Sequence, residues 1–227
     1  MKLKHIYIAL FALISSLGFS QLKTITNKTT YPFWINVPEK ENTEKQPILI
    51  FLHGKSLSGT DLNRVRRYGV LRAMDKGRKI PAIVVAPQLA KGSWNPDNVL
   101  EVLEYVKNNY NVDESRIYVC GMSLGGYGTL HFAGKYADKI TAAVAICGGG
   151  NVKDGCKLAT IPLWIQHGDK DYIVPVSESQ KVVNAIRKCN EKAKLIFTII
   201  KGGNHGSVEN IFHQDAMYNW LFEQKRE

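Results

Sequence analysis

A serine framed by glycines, set where a strand runs into a helix, constrains this chain more than any other feature. Gly121-Met122-Ser123-Leu124-Gly125-Gly126 follows the strand-like run Arg116-Ile117-Tyr118-Val119-Cys120 and leads into a helix-like run from Tyr127 to Tyr136. A strand that becomes a helix with no loop between them must turn sharply. The serine is then held above the sheet edge, its backbone strained and its hydroxyl exposed. Glycines on either side let strand and helix pass close together without a Cβ clash. The new helix also aims its free N–H groups at the space beside the serine. The G-x-S-x-G pattern by itself is common, so its placement carries the argument.

The rest of the chain supplies the sheet that such a turn needs. Tyr31 to Val37 reads as an edge strand. Pro47 to His53, Ala82 to Ala86, Ile140 to Cys147 and Ile161 to Gln166 are apolar runs of the kind buried on both faces of a sheet. Leu195 to Ile200 is a last strand. Helical patterns separate them, over 61–76, from Asn95 onward, over 177–189 and over about 207–223. Asn95 is placed to cap its helix, with Pro96 at the first helical position, and Val99, Val102, Leu103 and Val106 keep helical spacing. Ser177-Glu178-Ser179-Gln180 reads as a capping box. Buried strands alternating with amphipathic helices predict an α/β architecture, a mostly parallel central sheet with helices on both faces. Ligands of such sheets bind beyond the carboxyl ends of the strands. His53, Ser123 and Asp171 fall at or just past strand ends, and His205 follows the last strand.

A serine hydroxyl is a poor nucleophile near neutral pH. It needs a base within hydrogen-bond reach, and the base needs an acid that fixes its tautomer. Downstream of Ser123, Asp171 in His167-Gly-Asp-Lys-Asp171 and His205 in Gly202-Gly-Asn-His-Gly206 complete that set. Asp169 is the rival acid, read as a turn residue, and His213 the rival base, read as a residue of the final helix. His53 and His167 each precede a glycine at a strand end and read as structural histidines under the loops. Gly54 lets backbone approach a substrate oxygen, which makes the N–H groups of Lys55 and Leu124 the expected oxyanion donors.

These residues, with Leu52-His-Gly54, Gly59-Thr-Asp61, Ala86-Pro-Gln88, Trp94, Gly121 to Gly128, Ile146 to Gly150, His167 to Pro175 and Asn204-His205, cover nearly all of 47–206 in order. On them the chain resembles the secreted phospholipase/carboxylesterase-type branch of the α/β-hydrolase superfamily, which also holds feruloyl-esterase-like proteins and predicted peptidases. The resemblance implies an α/β-hydrolase fold and hydrolysis of carboxylic esters through an acyl-enzyme, with no metal or organic cofactor. It points to a small-molecule or polysaccharide-linked ester, such as an acetyl or feruloyl ester of plant polysaccharide. Trp94 and Tyr127 are the candidate substrate-binding residues. A peptidase, a lysophospholipase and a non-catalytic binding protein on the same fold are the alternatives. Two positions depart from the pattern. Position 55 is Lys where a small residue is usual, and Gly206-Ser207 follows the histidine where a bulky aromatic is expected. No long lid insertion separates Cys147 from Ile161.

The N-terminus reads separately. Lys2 and Lys4 precede the apolar run Ile6 to Ile14, and Gly18 and Ser20 stand before Gln21 as small residues at a cleavage site. The pattern is that of a secretory signal peptide over 1–20, leaving one catalytic domain over 21–227. The run is short for a span of about 30 Å, so no stable membrane anchor is expected, and the destination is secreted or periplasmic. Formal net charge is +10 over 227 residues, scattered without the aromatic-interleaved stripe of a nucleic-acid binder. Export permits disulfides. Cys147 and Cys156 bracket a glycine-rich loop and are the candidate pair, with Cys120 a buried hydrophobe. C-x-x-C metal spacing is missing from the sequence.

Overall fold

The structure is a computed structural model and describes residues 22–38 and 44–227. The expected signal segment, 1–20, lies outside the described residues. Eight strands among the described residues form one sheet: β1 (Lys23–Ile25), β2 (Phe33–Asn36), β3 (Gln46–Leu52), β4 (Ile83–Pro87), β5 (Val112–Met122), β6 (Ala142–Ile146), β7 (Leu163–Gly168) and β8 (Leu195–Ile200). Their order is β1-β2-β4-β3-β5-β6-β7-β8, antiparallel at β1–β2 and β2–β4 and parallel from β4 through β8. The expected edge strand at Tyr31–Val37 is therefore second from the edge, with β1 outside it.

Among the described residues six α-helices accompany the strands, the last of them after β8: α1 (Val70–Asp75), α2 (Pro96–Asn109), α3 (Leu124–Lys135), α4 (Gly155–Leu158), α5 (Val176–Cys189) and α6 (Asp215–Glu223). Strand side chains alternate, so each strand feeds two cores. Ile48, Ile50 and Leu52 of β3 face α2, α3 and α5 through Val102, Val106, Phe132, Val182 and Ile186. Leu49 and Phe51 face α1 and α6 through Leu71, Tyr218 and Leu221. That two-sided burial is why these strands read as continuous apolar runs.

The helix ends explain where expectation and structure part. Asn95 caps α2 as its sequence predicts, accepting from the Asp97 N–H at 2.9 Å. The helix expected over 61–76 divides into a 3-10 turn, Leu62–Arg66, and α1, because Gly69 adopts φ +79. Phe51 packs where a Gly69 side chain would be, its ring 2.1 Å from the position of a Cβ. The final helical stretch likewise divides into a 3-10 turn, Ser207–His213, and α6. The Ser177 capping box does not form. α5 begins one residue earlier without a side-chain cap, and Ser179 turns inward to pair with His167 Nδ1 at 2.7 Å.

The expected Cys147–Cys156 bridge is also corrected. Cys156 pairs with Cys189, while Cys147 and Cys120 are free and buried. Cys147 follows directly on β6 and lies beside Asp171 in the loop after β7. Cys156 instead sits on α4, which packs against α5 so closely that a Cβ on Gly155 would lie 2.8 Å from the Ala185 backbone. Sequence proximity favoured one partner, and helix packing supplies the other.

Candidate active site

The chain runs from β3 to β4 on one side and then crosses to β5 on the other. That reversal opens a crevice at the carboxyl end of β3 and β5, where an open α/β sheet places its ligand. Ser123 stands there between β5 and α3 with φ +58, in the strained left-handed region that the turn demands. Gly121 and Gly125 permit this turn. A Cβ on Gly125 would lie 1.8 Å from the Leu52 carbonyl oxygen, and one on Gly121 would lie 2.4 Å from the Gly125 carbonyl oxygen. The Ser123 N–H donates to Ile146 O at 2.8 Å, which ties the turn to β6.

Ser123, His205 and Asp171 meet in one hydrogen-bonded line. The Ser123 hydroxyl lies 2.9 Å from His205 Nε2, and His205 Nδ1–H lies 2.7 Å from Asp171 Oδ2. Serine Oγ–H donates to Nε2 and Nδ1–H donates to the carboxylate, so a single neutral tautomer satisfies both contacts. The Asp171 carboxylate is fully buried, whereas the His205 side chain keeps 20% exposure. Burial by itself would raise the Asp171 pKa. The N–H groups of Val174 and Ile173, each 2.9 Å from Oδ1, and the His205 hydrogen bond outweigh it and hold the group below its ordinary value. An ionised acid behind a neutral imidazole is the arrangement that lets a histidine take a proton from serine.

Beneath Asp171 lie Cys147 and His167, and the three offer potential metal ligands within 4.8 Å of one another. Each is already engaged. His167 pairs with Ser179 Oγ at 2.7 Å and with Val174 O at 2.8 Å. Burial pushes the Cys147 thiol up to about 12, so it stays protonated as a donor toward Asp171. The cluster props the acid loop and does not have the free lone pairs of a coordination shell.

Lys55 opens a 3-10 turn and Leu124 opens α3, positions whose N–H groups have no acceptor within their own element. The neighbouring Gly54 N–H is taken by the Tyr68 hydroxyl at 2.9 Å. His53 is buried beneath the loop. Its Nε2 accepts from Leu89 N–H at 3.1 Å and its Nδ1 lies 2.8 Å from Gly54 O. The rivals sit elsewhere: Asp169 accepts from Gly202 N–H at 2.7 Å, and His213 pairs with Glu209 at 3.0 Å.

The two candidate substrate contacts do not join the site. Trp94 is 3% exposed, packs edge-on to His53 and Tyr31, and donates Nε1–H to His53 O at 3.0 Å. It braces the loop from below and does not line the cavity that holds Ser123. Tyr127 stands on the first turn of α3 with its hydroxyl 3.4 Å from Glu178, outside the cavity that holds Ser123.

That cavity, about 520 Å³, is lined by Ser123, His205 and Met122 together with residues the sequence did not mark: Arg67, Tyr68, Arg72, Lys76, Ile173 and Glu209. The Gly69 break brings the segment 67–76 over the site, and the Gly69 N–H donates to Glu209 Oε1 at 3.1 Å. The glycine before an apolar Val-Leu pair was the one available signal of that break. Beside the opening, Tyr172 and Ile173 are 88% and 73% exposed.

The family model described as phospholipase/carboxylesterase matches residues 94–218. Two curated relatives are similar. A probable feruloyl esterase C of Aspergillus terreus is 28% identical over 189 residues, covering 76% of this chain and 68% of its own length. A bifunctional acetylxylan esterase/xylanase of Neocallimastix patriciarum is 34% identical over 85 residues, covering 37% of this chain and 12% of its own. The chain thus spans about an eighth of that longer relative. Among solved structures, a thermostable esterase superposes with a TM-score of 0.80 at 30% identity over 90% of this chain and 63% of that one. The feruloyl esterase module from Clostridium thermocellum gives 0.69 at 15% identity, over 92% and 90%, and shares the fold.

Proposed function

Since this chain belongs to the phospholipase/carboxylesterase family, whose model spans more than half of it, we propose that it is a serine carboxylesterase working through Ser123, His205 and Asp171. The observation that carries the reading is the continuous line from Ser123 Oγ through His205 to the buried Asp171, at 2.9 and 2.7 Å. Ser123 Oγ attacks the ester carbonyl while His205 Nε2 takes its proton. The carbonyl oxygen becomes an oxyanion held by the N–H groups of Lys55 and Leu124. Collapse breaks the ester C–O bond, and the departing alcohol takes the proton from His205. Water then attacks the acyl-serine, gives its proton to His205 and releases the acid, and the proton returns to Ser123. Asp171 keeps His205 in the required tautomer and stabilises its cation in both halves of the cycle.

The substrate proposed is an acetyl or hydroxycinnamoyl ester carried by a plant polysaccharide. Two things support this: relatives named as feruloyl and acetylxylan esterases, and a short connection after β6 that leaves Ser123 partly exposed. A bulky polymer can approach such a site. Export is proposed on the leader pattern of 1–20 and on the Cys156–Cys189 disulfide, a bond that persists in oxidising compartments. No helix among the described residues is long and apolar enough to cross a membrane.

The test is turnover of short p-nitrophenyl esters and methyl hydroxycinnamates by the purified protein beside Ser123→Ala. Turnover that falls by about 10⁴-fold or more in the variant is expected. A folded protein inactive on every ester, or a fully active Ser123→Ala, refutes the proposal.

A further inference from the structure

The cavity that holds Ser123 and His205 has an uneven charge. Lys55, Arg67, Arg72 and Lys76 line it, and Glu209 is its one carboxylate among the described lining residues. Glu209 is already engaged, accepting from the Gly69 N–H at 3.1 Å and paired with His213 at 3.0 Å. The four cations are exposed, and none forms an ion pair with a described carboxylate. Neighbouring cations do: Arg66 meets Asp75 at 2.7 Å and Arg78 meets Asp215 at 2.8 Å. Asp75 and Asp215 are thus paired with Arg66 and Arg78, which do not line the cavity, and the cavity-lining cations are left without a described carboxylate partner. An ordinary solvated face mixes its signs. A cleft lined by one sign focuses its field and concentrates ligands of the other.

Resting on the carboxylesterase reading above, we infer that the substrate of this site is an ester that also carries a carboxylate, gathered by Arg67, Arg72 and Lys76. Arginine suits the task because its planar fork meets a carboxylate through two parallel hydrogen bonds. The carboxylate has two possible locations. On the alcohol side it is the uronate of an acidic saccharide bearing the ester. On the acyl side it is the free end of a dicarboxylic acid. Lys55 also lines the cavity and adds to the field, but its backbone N–H is proposed to hold the oxyanion, so it is left untouched in the test. Tyr68 and His205 also line the cavity and carry no negative charge at neutral pH, and the negative groups beside it are Glu209 and the buried Asp171 behind His205.

The experiment compares matched esters on the intact protein at about 20 mM salt. The alcohol-side pair is 3-carboxyphenyl acetate and 3-carbamoylphenyl acetate. The acyl-side pair is mono-4-nitrophenyl adipate and its primary amide. For each pair the ratio of kcat/KM, charged over uncharged, is measured for the protein and for Arg67→Gln/Arg72→Gln/Lys76→Gln, so that intrinsic reactivity cancels. The ratio is expected to fall about tenfold in the variant for one pair, and the pair that responds locates the carboxylate. The unaltered protein gives a second readout. Its preference for the charged member should collapse as salt rises to about 0.5 M, where screening lengths shrink to a few ångströms. A ratio that changes by less than about threefold in both pairs, or a preference indifferent to salt, overturns the inference. Turnover of the uncharged members keeps the esterase reading intact in that event. Failure of the folded protein to turn over any ester, charged or uncharged, sinks the esterase reading, and this inference with it.

Discussion

His53 gives a quantitative handle on the loop that carries the Lys55 N–H. Its ring is buried, with Nε2 accepting from Leu89 N–H, which leaves the proton on Nδ1, 2.8 Å from Gly54 O. Protonation of Nε2 would place two donors face to face. Burial, partly opposed by the Gly54 hydrogen bond, lowers the pKa from 6.5 to about 4. The unfolded chain therefore binds this proton more readily between those two values, and stability falls as pH drops through that window. Above about pH 7 the contribution is flat. Two-state linkage with these pKa values gives a loss of about 2 kcal/mol between pH 8 and pH 5. His53→Gln keeps an acceptor for Leu89 N–H and removes the titration. It is expected to cost about 1–3 kcal/mol at pH 8. The informative quantity is the pH dependence, measured by urea unfolding at pH 8 and pH 5. The unaltered protein should lose about 2 kcal/mol more than the variant over that interval. Parallel losses in the two proteins would refute the argument that His53 is held neutral by the fold.

Further outcomes follow from other contacts. Asp171→Asn turns an amide toward His205 Nδ1 and stabilises the wrong tautomer, so kcat should fall about 10³–10⁴-fold with KM changed only a few-fold. A loss confined to KM would remove Asp171 from its proposed role of orienting His205. Because folding holds the Asp171 pKa below its ordinary value, this residue's contribution to stability is present above the usual carboxylate range. It is lost only as pH falls through that range, and an acid titration of unfolding beside Asp171→Asn should show the difference. Replacing Cys156 and Cys189 by serine releases a closed loop with a sequence separation of 33. Chain entropy sets the cost near 3–4 kcal/mol, a drop in Tm of roughly 10 °C by calorimetry. A shift under about 2 °C would show that α4–α5 packing already fixes that corner.

The residues of the Ser123–His205–Asp171 line were legible because strand ends are legible. A parallel strand buried on both faces is an unbroken apolar run, so its last residue can be placed closely, and Ser123 and Asp171 follow two such runs, while His205 follows the half-exposed edge strand β8. Gly121 and Gly125 were equally readable, since their spacing is what a strand crossing a helix at backbone distance requires. The cavity wall was not. Arg67, Arg72 and Lys76 look like any solvated basic stretch until Gly69 breaks the helix and Glu209, 140 residues away, accepts its N–H. The place of Trp94 was hidden for the converse reason. An aromatic beside a site is equally apt to bind substrate or to support a loop, and the His53 carbonyl that takes its Nε1–H is invisible in sequence. The Cys156–Cys189 pairing depends on how α4 meets α5, a tertiary contact that spacing does not encode.

The account turns on Ser123 being the nucleophile, and the most direct measurement is intact-mass analysis after reaction with a fluorophosphonate, followed by peptide mapping. The account predicts one adduct per chain, located on Ser123, lost in Ser123→Ala and slowed strongly in His205→Ala. An adduct on another residue, or an unlabelled folded protein that still hydrolyses esters, would contradict it.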